Sequence, residues 1–184
     1  MNNKANFNRY AEMLREWSGR MNLVAPSTLS DIETRHFADS AQIADVLPKN
    51  VHVIDLGSGA GFPGVVLAIL GWRVTCIESI GKKVLFLTAV KEELKLENLE
   101  IYHGRAEDFI RHLPANSSNF VFTARAFAPL VKILDYTHPT NYRLFLLKGR
   151  EIESEISVAK KKYKFKYTLV PSKTGDGFIT IISK

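Results

Sequence analysis

The stretch VIDLGSGAGFPGVVLAI, from Val53 to Ile69, joins two apolar runs through four glycines in eight residues. This order predicts a buried strand, then a turn, then a helix. Glycines lack a Cβ, so a ligand can approach the backbone of such a turn closely. In doubly wound sheets, ligands bind beyond the carboxyl ends of the strands, where this turn would lie. We therefore predict a cofactor loop with Asp55 in front of it and with Gly57, Gly59 and Gly61 inside it.

The chain around this loop alternates between strand and helix patterns. Five strand-like runs, each followed by a helical pattern, are VHVID, RVTCIE, LEIYH, NFVFTA and YRLFLLK. The chain then closes on two strands without a helix between them, KKYKFKYTLV and GFITIIS, joined by PSKTGDG. This pattern predicts an α/β, Rossmann-like fold. Its mostly parallel seven-stranded sheet is covered on both faces and ends in a C-terminal antiparallel pair.

The first 49 residues have a different pattern. Residues 6–21 form an amphipathic helical pattern, and Ser27 or Thr28 can cap a second helix that runs to Leu47. We predict a short helical N-terminal segment, residues 1–49, packed on a domain of residues 50–184.

Charge and composition limit the location and the partners. The net charge is +6, and the stretch from Arg143 to Lys173 alone has nine Lys or Arg and three Glu. Such a basic end favours a polyanionic partner, although a solvated lysine face would look the same.

A secretory signal and an apolar run long enough to span a bilayer are absent from the sequence. The single cysteine, Cys76, excludes an internal disulfide and a Cys-based zinc cluster. We expect a cytoplasmic protein.

Two cofactors fit the glycine loop. GAGFPG matches the G-x-G-x-x-G pattern of nicotinamide dinucleotide enzymes, and Glu78 at the end of the second strand can bind a ribose hydroxyl with either cofactor. S-adenosylmethionine is favoured because no second domain is available for a dehydrogenase substrate and because an antiparallel terminal pair is typical of methyltransferase sheets. Ala106 and Glu107, after the third strand, would lie near its adenine.

Five motifs occur in order: RHFADS (35–40), DLGSGAGFPG (55–64), IESIGKKVLFL (77–87), ARAFAPL (124–130) and LKG (147–149). Together they resemble the RsmG family, also called glucose-inhibited division protein B. The resemblance implies a bacterial class I methyltransferase that uses S-adenosyl-L-methionine to methylate N7 of one guanine in the 530 loop of 16S rRNA. The implied partner is 16S rRNA or the small ribosomal subunit, and we expect the enzyme to act as a monomer.

The resemblance also implies roles for particular residues. Gly57 and Phe62 would contact the cofactor in the glycine loop, and Ala106 and Glu107 would contact it near the adenine. Arg125 would lie beside the cofactor or the target base. Lys82 and Lys148 would be basic residues around the catalytic mouth.

The residues themselves are consistent with this chemistry. The [D/N]-P-P-[Y/F] motif of amino-group methylation is absent, and Cys76 lies inside a strand, where a structural thiol is expected rather than a nucleophile. Guanine N7 carries an in-plane lone pair and no proton, so its methylation needs alignment more than a general base.

Some roles stay open at this stage. Arg35 and Asp39, four residues apart, either form an ion pair on the second helix or, with His36, border the cofactor mouth. A run of lysines either binds the rRNA backbone or protects an edge strand from aggregation; these are Lys160, Lys161, Lys162, Lys164 and Lys166. Two other functions also remain, a small nicotinamide-dependent oxidoreductase and a non-catalytic rRNA-binding or assembly factor.

Overall fold

A seven-stranded sheet forms the centre of the protein. The computed structural model describes residues 3–114, 119–138 and 140–183. The strands are β1 (His52–Leu56), β2 (Arg73–Glu78), β3 (Leu99–His103), β4 (Phe120–Arg125), β5 (Arg143–Lys148), β6 (Lys166–Pro171) and β7 (Phe178–Ser183). Their order is β3-β2-β1-β4-β5-β7-β6. Strands β1 to β5 are parallel, whereas β7 is antiparallel to both β5 and β6. The predicted fold is therefore confirmed.

Helices cover the sheet on both faces. They are α1 (Asn3–Ser18), the short α2 (Asp39–Ala41), α3 (Gly64–Ile69), α4 (Gly81–Glu93), α5 (Ala106–Arg111), α6 (Leu130–Thr137) and α7 (Ile152–Lys160). Successive residues of a strand point to opposite faces, so the sheet separates two cores. Val53 belongs to the core that includes α1 and α3, and Ile54 belongs to the core that includes α6 and α7. Within the described residues, none of the helices is both long and apolar enough to cross a membrane.

The N-terminal segment departs from the prediction in two respects. The amphipathic helix predicted over residues 6–21 is present as α1, with Tyr10, Met13 and Leu14 buried in the core beside α3, but it begins and ends three residues earlier. The second helix, predicted to be continuous to Leu47, is instead broken into a 3₁₀ helix (Pro26–Asp31), a π-helical turn (Glu33–Ala38), α2 and a second 3₁₀ helix (Gln42–Asp45). A π-helical turn is wider than an α-helical one, which changes the side-chain spacing along this segment.

The last two strands are shorter than the sequence pattern indicates. Strand β6 begins at Lys166, so Lys161 to Phe165 form the connection from α7 instead of the start of the strand. The predicted hairpin connection lies between β6 and β7, at the carboxyl end of β5. The glycine loop follows β1 at the same end of the sheet. The fold therefore brings the two loops to one edge.

Candidate active site

A buried carboxylate holds the glycine loop. The Gly64 N–H donates to Asp55 Oδ2 at 3.1 Å, and the Ser58 hydroxyl donates to the Asp55 carbonyl at 3.1 Å. Burial raises the pKa of Asp55 to about 7, although the hydrogen bond from the Gly64 N–H to the carboxylate opposes this rise. The other carboxylate oxygen, Oδ1, is buried and has no hydrogen-bond partner among the described residues. Asp55 therefore holds the loop from inside the core.

Two glycines of the loop, Gly57 and Gly59, both have positive φ, but a Cβ would meet different surroundings at the two positions. Gly57 has φ +65°, and a Cβ there would lie 2.2 Å from the Phe127 ring. Gly59 has φ +58°, but its Cβ would meet nothing closer than the Gly57 carbonyl oxygen at 3.9 Å. The Phe127 ring thus fills the space beside Gly57, whereas the space beside Gly59 is open to a ligand.

Glu78 joins the loop to the end of β2. Its two carboxylate oxygens accept hydrogen bonds from the N–H groups of Gly59 and Ile80, both at 2.8 Å. The side chain is buried. Each carboxylate oxygen can accept more than one hydrogen bond, so Glu78 still has acceptor capacity for the ribose hydroxyl groups predicted from the sequence.

The residues predicted near the adenine border a small cavity beside Gly57. Ala106 is buried at the start of α5 and Glu107 is half-buried. The cavity has a volume of about 70 Å³, and its lining consists of Gly57, Ile77, Ser79, Gly104, Arg105, Ala106, Glu107, Phe127 and Tyr136. The apolar and aromatic side chains of this lining and the Glu107 carboxylate are the kinds of group that contact an adenine ring.

Phe62 lies in the core and not in an open cleft. Its side chain is 4% exposed, and its ring packs near the rings of Tyr10, Phe37 and His36, with centroids 5.7, 6.1 and 4.9 Å away. The side chain therefore supports the loop from below. Contact with a cofactor would have to come from the backbone of Phe62.

The N-terminal segment and Phe62 hold Arg125 at the end of β4. Its guanidinium lies 4.6 Å above the centroid of the Phe62 ring. It donates to Asp39 Oδ2 at 3.1 Å, to the Arg35 carbonyl at 3.2 Å and to His36 Nδ1 at 2.8 Å. Asp39 therefore pairs with Arg125 and not with Arg35, the ion pair that an α-helical spacing would have allowed.

Asp39 also connects Arg125 to the C-terminal hairpin. Its Oδ1 atom accepts hydrogen bonds from the Thr174 hydroxyl at 2.9 Å and from the Gln42 side chain at 3.0 Å. Gln42 Oε1 in turn accepts from the Lys173 N–H at 3.0 Å. One carboxylate thus joins the N-terminal segment, the end of β4 and the loop between β6 and β7. The sequence contains no local signal for this network, because Thr174 lies 135 residues from Asp39.

His36 is held as a neutral acceptor. An arginine can only donate, so Nδ1 accepts from Arg125 and Nε2 donates to the Thr28 hydroxyl at 2.8 Å. Burial and the Arg125 charge lower the pKa of His36 to about 4. Both ring nitrogens are therefore used in positioning, which leaves neither of them for an acceptor substrate.

The two lysines predicted at the mouth differ in position. Lys148 is nearly buried, and its ammonium donates to Glu155 at 2.7 Å and to the Ala128 carbonyl at 2.8 Å. Glu155 also accepts from the Leu130 N–H. The pair therefore holds the 126–130 segment that carries Phe127. Lys82 is exposed in the first turn of α4 and is outside the lining of the cleft described next.

A larger cleft opens beside the glycine loop, with a volume of about 740 Å³. Its charged side chains come from Arg35, Asp39, Arg125, Lys148 and Glu155, and the neutral His36 ring also lines it. The remaining walls are the 126–129 segment, Thr28, Leu147, Gly149 and the hairpin residues Ser172, Thr174, Gly175, Gly177 and Phe178. Phe127 lines this cleft and the small cavity next to it. Phe127 therefore lies between the two spaces.

The lysine run lies away from this cleft. Strand β6 is antiparallel to β7, so Pro171 is at the cleft end and Lys166 is at the opposite end of the sheet. Lys162 pairs with Asp135 at 2.7 Å, and the Lys160 ammonium lies 4.6 Å from the centroid of the Tyr167 ring. These lysines therefore cannot contact a nucleotide whose base occupies the cleft.

The sheet order, the glycine loop and the carboxylate after β2 define the class of the protein, the class I methyltransferases that bind S-adenosylmethionine. A solved structure of the O-methyltransferase from Bacillus cereus in complex with S-adenosylhomocysteine has the same fold. It matches with a TM-score of 0.63 and 14% identity over 96% of this chain and 91% of that chain.

The chain belongs to the rRNA small subunit methyltransferase G family, whose model matches residues 3–175. The ribosomal RNA small subunit methyltransferase G of Hyphomonas neptunium is 39% identical over 180 residues, which cover 95% of this chain and 84% of the relative. That of Dinoroseobacter shibae is 40% identical over 177 residues, or 91% and 88% of the two chains. The family resemblance and the predicted cofactor are confirmed. The nicotinamide-dependent alternative is wrong, because the family is one of S-adenosylmethionine-dependent methyltransferases.

Proposed function

We propose that this protein transfers a methyl group from S-adenosyl-L-methionine to N7 of a guanine in 16S rRNA, the position known as guanine-527 in the 530 loop. The substrate would be the rRNA within the small ribosomal subunit or one of its precursors, which places the enzyme in the bacterial cytoplasm. Family membership supports the rRNA substrate, and the chemistry of the cleft supports the acceptor atom.

The proposed cofactor site combines the glycine loop, Glu78 and the small cavity. S-adenosylmethionine would supply an electrophilic methyl group on a sulfonium sulfur. The Gly57, Gly59 and Gly61 backbone and the backbone of Phe62 would bind along the cofactor, and Glu78 would accept hydrogen bonds from its ribose. Ala106 and Glu107 would contact the adenine. The open space at Gly59 is the structural feature that fits such a group.

The observation that carries the choice of N7 is the absence of a free general base in the described cleft lining. His36 bonds Arg125 and Thr28, Asp39 bonds Arg125 and Thr174, and Glu155 bonds Lys148. An acceptor that must lose a proton would need one of these groups. Guanine N7 has no proton to lose, so alignment of its lone pair with the methyl group is sufficient.

Arg125 is the residue that we expect to contact the acceptor. Phe62 covers one side of its guanidinium, and the side chain remains 17% exposed where it lines the cleft. A planar cation can stack on a purine and leave N7 free to react. In this proposal Arg125 is a catalytic residue, whereas Lys148 holds the 126–130 segment and Lys82 lies outside the lining of the cleft.

The test uses small subunits that lack this modification, incubated with the protein and labelled S-adenosylmethionine. Borohydride reduction and aniline treatment then cleave the rRNA chain at N7-methylguanosine. We expect one new cleavage, in the 530 loop. Label without that cleavage would overturn the N7 assignment or the position. RNA binding without label would favour a non-catalytic assembly factor instead.

A further inference from the structure

A second group of basic residues lies at the end of the sheet opposite the cleft. Arg143 starts β5, and Lys166 starts β6. Lys164 precedes Lys166 in the connection from α7. All three side chains are exposed. We call these three residues the basic edge.

The strand register places two of them side by side. Leu144 pairs with Ile182, and Lys166 pairs with Ser183, the next residue of β7. One step back from Leu144, Arg143 also lies opposite Ser183, so Arg143 and Lys166 share a row on either side of β7, with about 10 Å between the two outer strands. Arg143 shares a face with Phe145, and its guanidinium lies 5.8 Å from the centroid of that ring. Because Phe145 pairs with Ile181, two residues before Ser183, Lys166 is on the same face.

The charge of the basic edge is not neutralised by the carboxylates of the described residues. Asp135 pairs with Lys162, the neighbouring basic residue, but in the described part of the chain no carboxylate lies within 4 Å of the basic atoms of Arg143, Lys164 or Lys166. An edge strand needs a lysine to discourage pairing with other strands, but that role does not require Arg143, which lies on a central strand. The cluster is therefore available to bind an anionic partner.

We propose that the basic edge is a second RNA-contact surface, which binds the sugar-phosphate backbone of an rRNA segment other than the one in the cleft. The five residue steps of β5 separate the two sites by about 17 Å, so a base in the cleft cannot have its own phosphate on the basic edge. Lysine and arginine contacts to phosphates position an RNA without reading its sequence. This inference rests on the proposed function, since it deepens the contact with the same rRNA substrate.

The experiment compares two triple variants of the full chain. Arg143, Lys164 and Lys166 are changed to Gln in the first. In the second, a matched control, the exposed residues Lys4, Arg15 and Lys95 on α1 and after α4 are changed to Gln. For each variant, binding to small subunits is measured over a range of salt concentrations, and the single-turnover methylation rate is measured at saturating subunit.

We expect the basic-edge variant to bind small subunits about tenfold more weakly at 0.1 M salt. The slope of log Kd against log salt should decrease by about 2, because each lost phosphate contact on single-stranded RNA removes about 0.7. The rate at saturation should stay at the wild-type value, and the control variant should bind as the wild type does. Restoring the charge with R143K, K164R and K166R should restore the slope.

Wild-type binding and salt slope in the basic-edge variant would overturn the proposal. An equal loss in the control would also overturn it, because the effect would then follow net charge and not position. A lower saturating rate with unchanged binding would assign these residues to the cleft, against the register. Failure of the wild type to methylate the subunits would contradict the proposed function, while the binding measurement would still decide the role of the basic edge. Failure of the wild type to bind subunits would overturn both.

Discussion

The glycine loop and the cleft beside it are neighbours in space, but they are built in different ways. In the loop, Asp55 bonds Gly64 nine residues away, and Glu78 bonds Gly59 nineteen residues away. In the cleft, Arg125 bonds His36 and Asp39, which are 89 and 86 residues away. The loop is a local structure with buried anchors, whereas the cleft wall exists only when three distant parts of the chain meet. Mutations at the buried anchors of the loop should therefore affect folding, and mutations in the cleft wall should affect catalysis.

The largest effect is expected at the buried end of the loop. In Gly64→Val, the Cβ would lie 2.5 Å from Cys76 Sγ and 2.8 Å from Asp55 Oδ2. Overpacking of a buried site and disturbance of this carboxylate should lower the free energy of unfolding by about 3 kcal/mol. Denaturant unfolding measures the change. Gly149→Ala, where a Cβ meets no atom within 4 Å, should change stability by less than about 0.5 kcal/mol. Equal stability of the two variants would contradict the buried position of Gly64.

Gly59→Val tests the open part of the same loop. Its Cβ enters open space, so the fold should survive while the side chain fills the proposed cofactor site. We expect the affinity for S-adenosylhomocysteine to fall at least about 30-fold, or about 2 kcal/mol. Calorimetric titration gives the affinity. Gly59→Ala, with a smaller side chain and less strain than Val at the same positive φ, should lose only a few-fold in affinity. A folded Gly59→Val protein with wild-type affinity would remove Gly59 from the site.

Asp39→Asn tests the wall of the cleft. The change keeps the size of the side chain but removes the charge that holds Arg125. We expect a methyl-transfer rate at saturating substrate about tenfold lower, or about 1.4 kcal/mol in the barrier, with unchanged affinity for S-adenosylhomocysteine. Asp45→Asn is the matched control, since it breaks an exposed ion pair with Lys173 in the same segment and should have almost no effect. Wild-type activity of Asp39→Asn would mean that the hydrogen bonds of Arg125 suffice without the ion pair.

The pH dependence of stability should have opposite signs in the two regions. Asp55 in the loop has a pKa raised to about 7, so the native state holds a proton that the unfolded chain releases near pH 4. The stability that protonated Asp55 contributes is therefore present in full below about pH 4 and is lost as the pH rises through about 7. Thermal unfolding between pH 4 and 7.5 should show a smaller decline with rising pH in Asp55→Asn than in the wild type. An unchanged slope would mean that Asp55 is ionised in the native state.

The smallest effect is expected from His36, in the cleft wall. Its pKa is lowered to about 4, so the unfolded chain takes up a proton first as the pH falls below about 6.5. The stability from neutral His36 is therefore present above pH 6.5 and is lost as the pH falls towards 4. His36→Gln should flatten this part of the melting-temperature profile. A steeper profile in the variant would contradict the neutral state of His36.

The sequence determined the fold and the glycine loop of the proposed cofactor site. The spacing of strands and helices predicts the sheet, and the glycines with Asp55 and Glu78 predict the loop that the structure contains. These features are predictable because each depends on residues fewer than about 25 positions apart, where periodicity and turn chemistry act directly. The family motifs also identified Arg125 correctly as a residue at the end of β4.

Only the tertiary structure decided how Arg125 is held and where the basic residues lie. The partners of Arg125 come from a segment whose π-helical turn removes the expected spacing of Arg35 and Asp39. The resemblance implied that Lys148 is a basic residue of the catalytic mouth, but α7 packs Glu155 against it. The lysine run was expected either to bind the rRNA backbone or to protect an edge strand, and antiparallel pairing of β6 puts it at the end of the sheet opposite the cleft. Pairing between distant segments follows from the packing of the whole chain, and no local pattern encodes it.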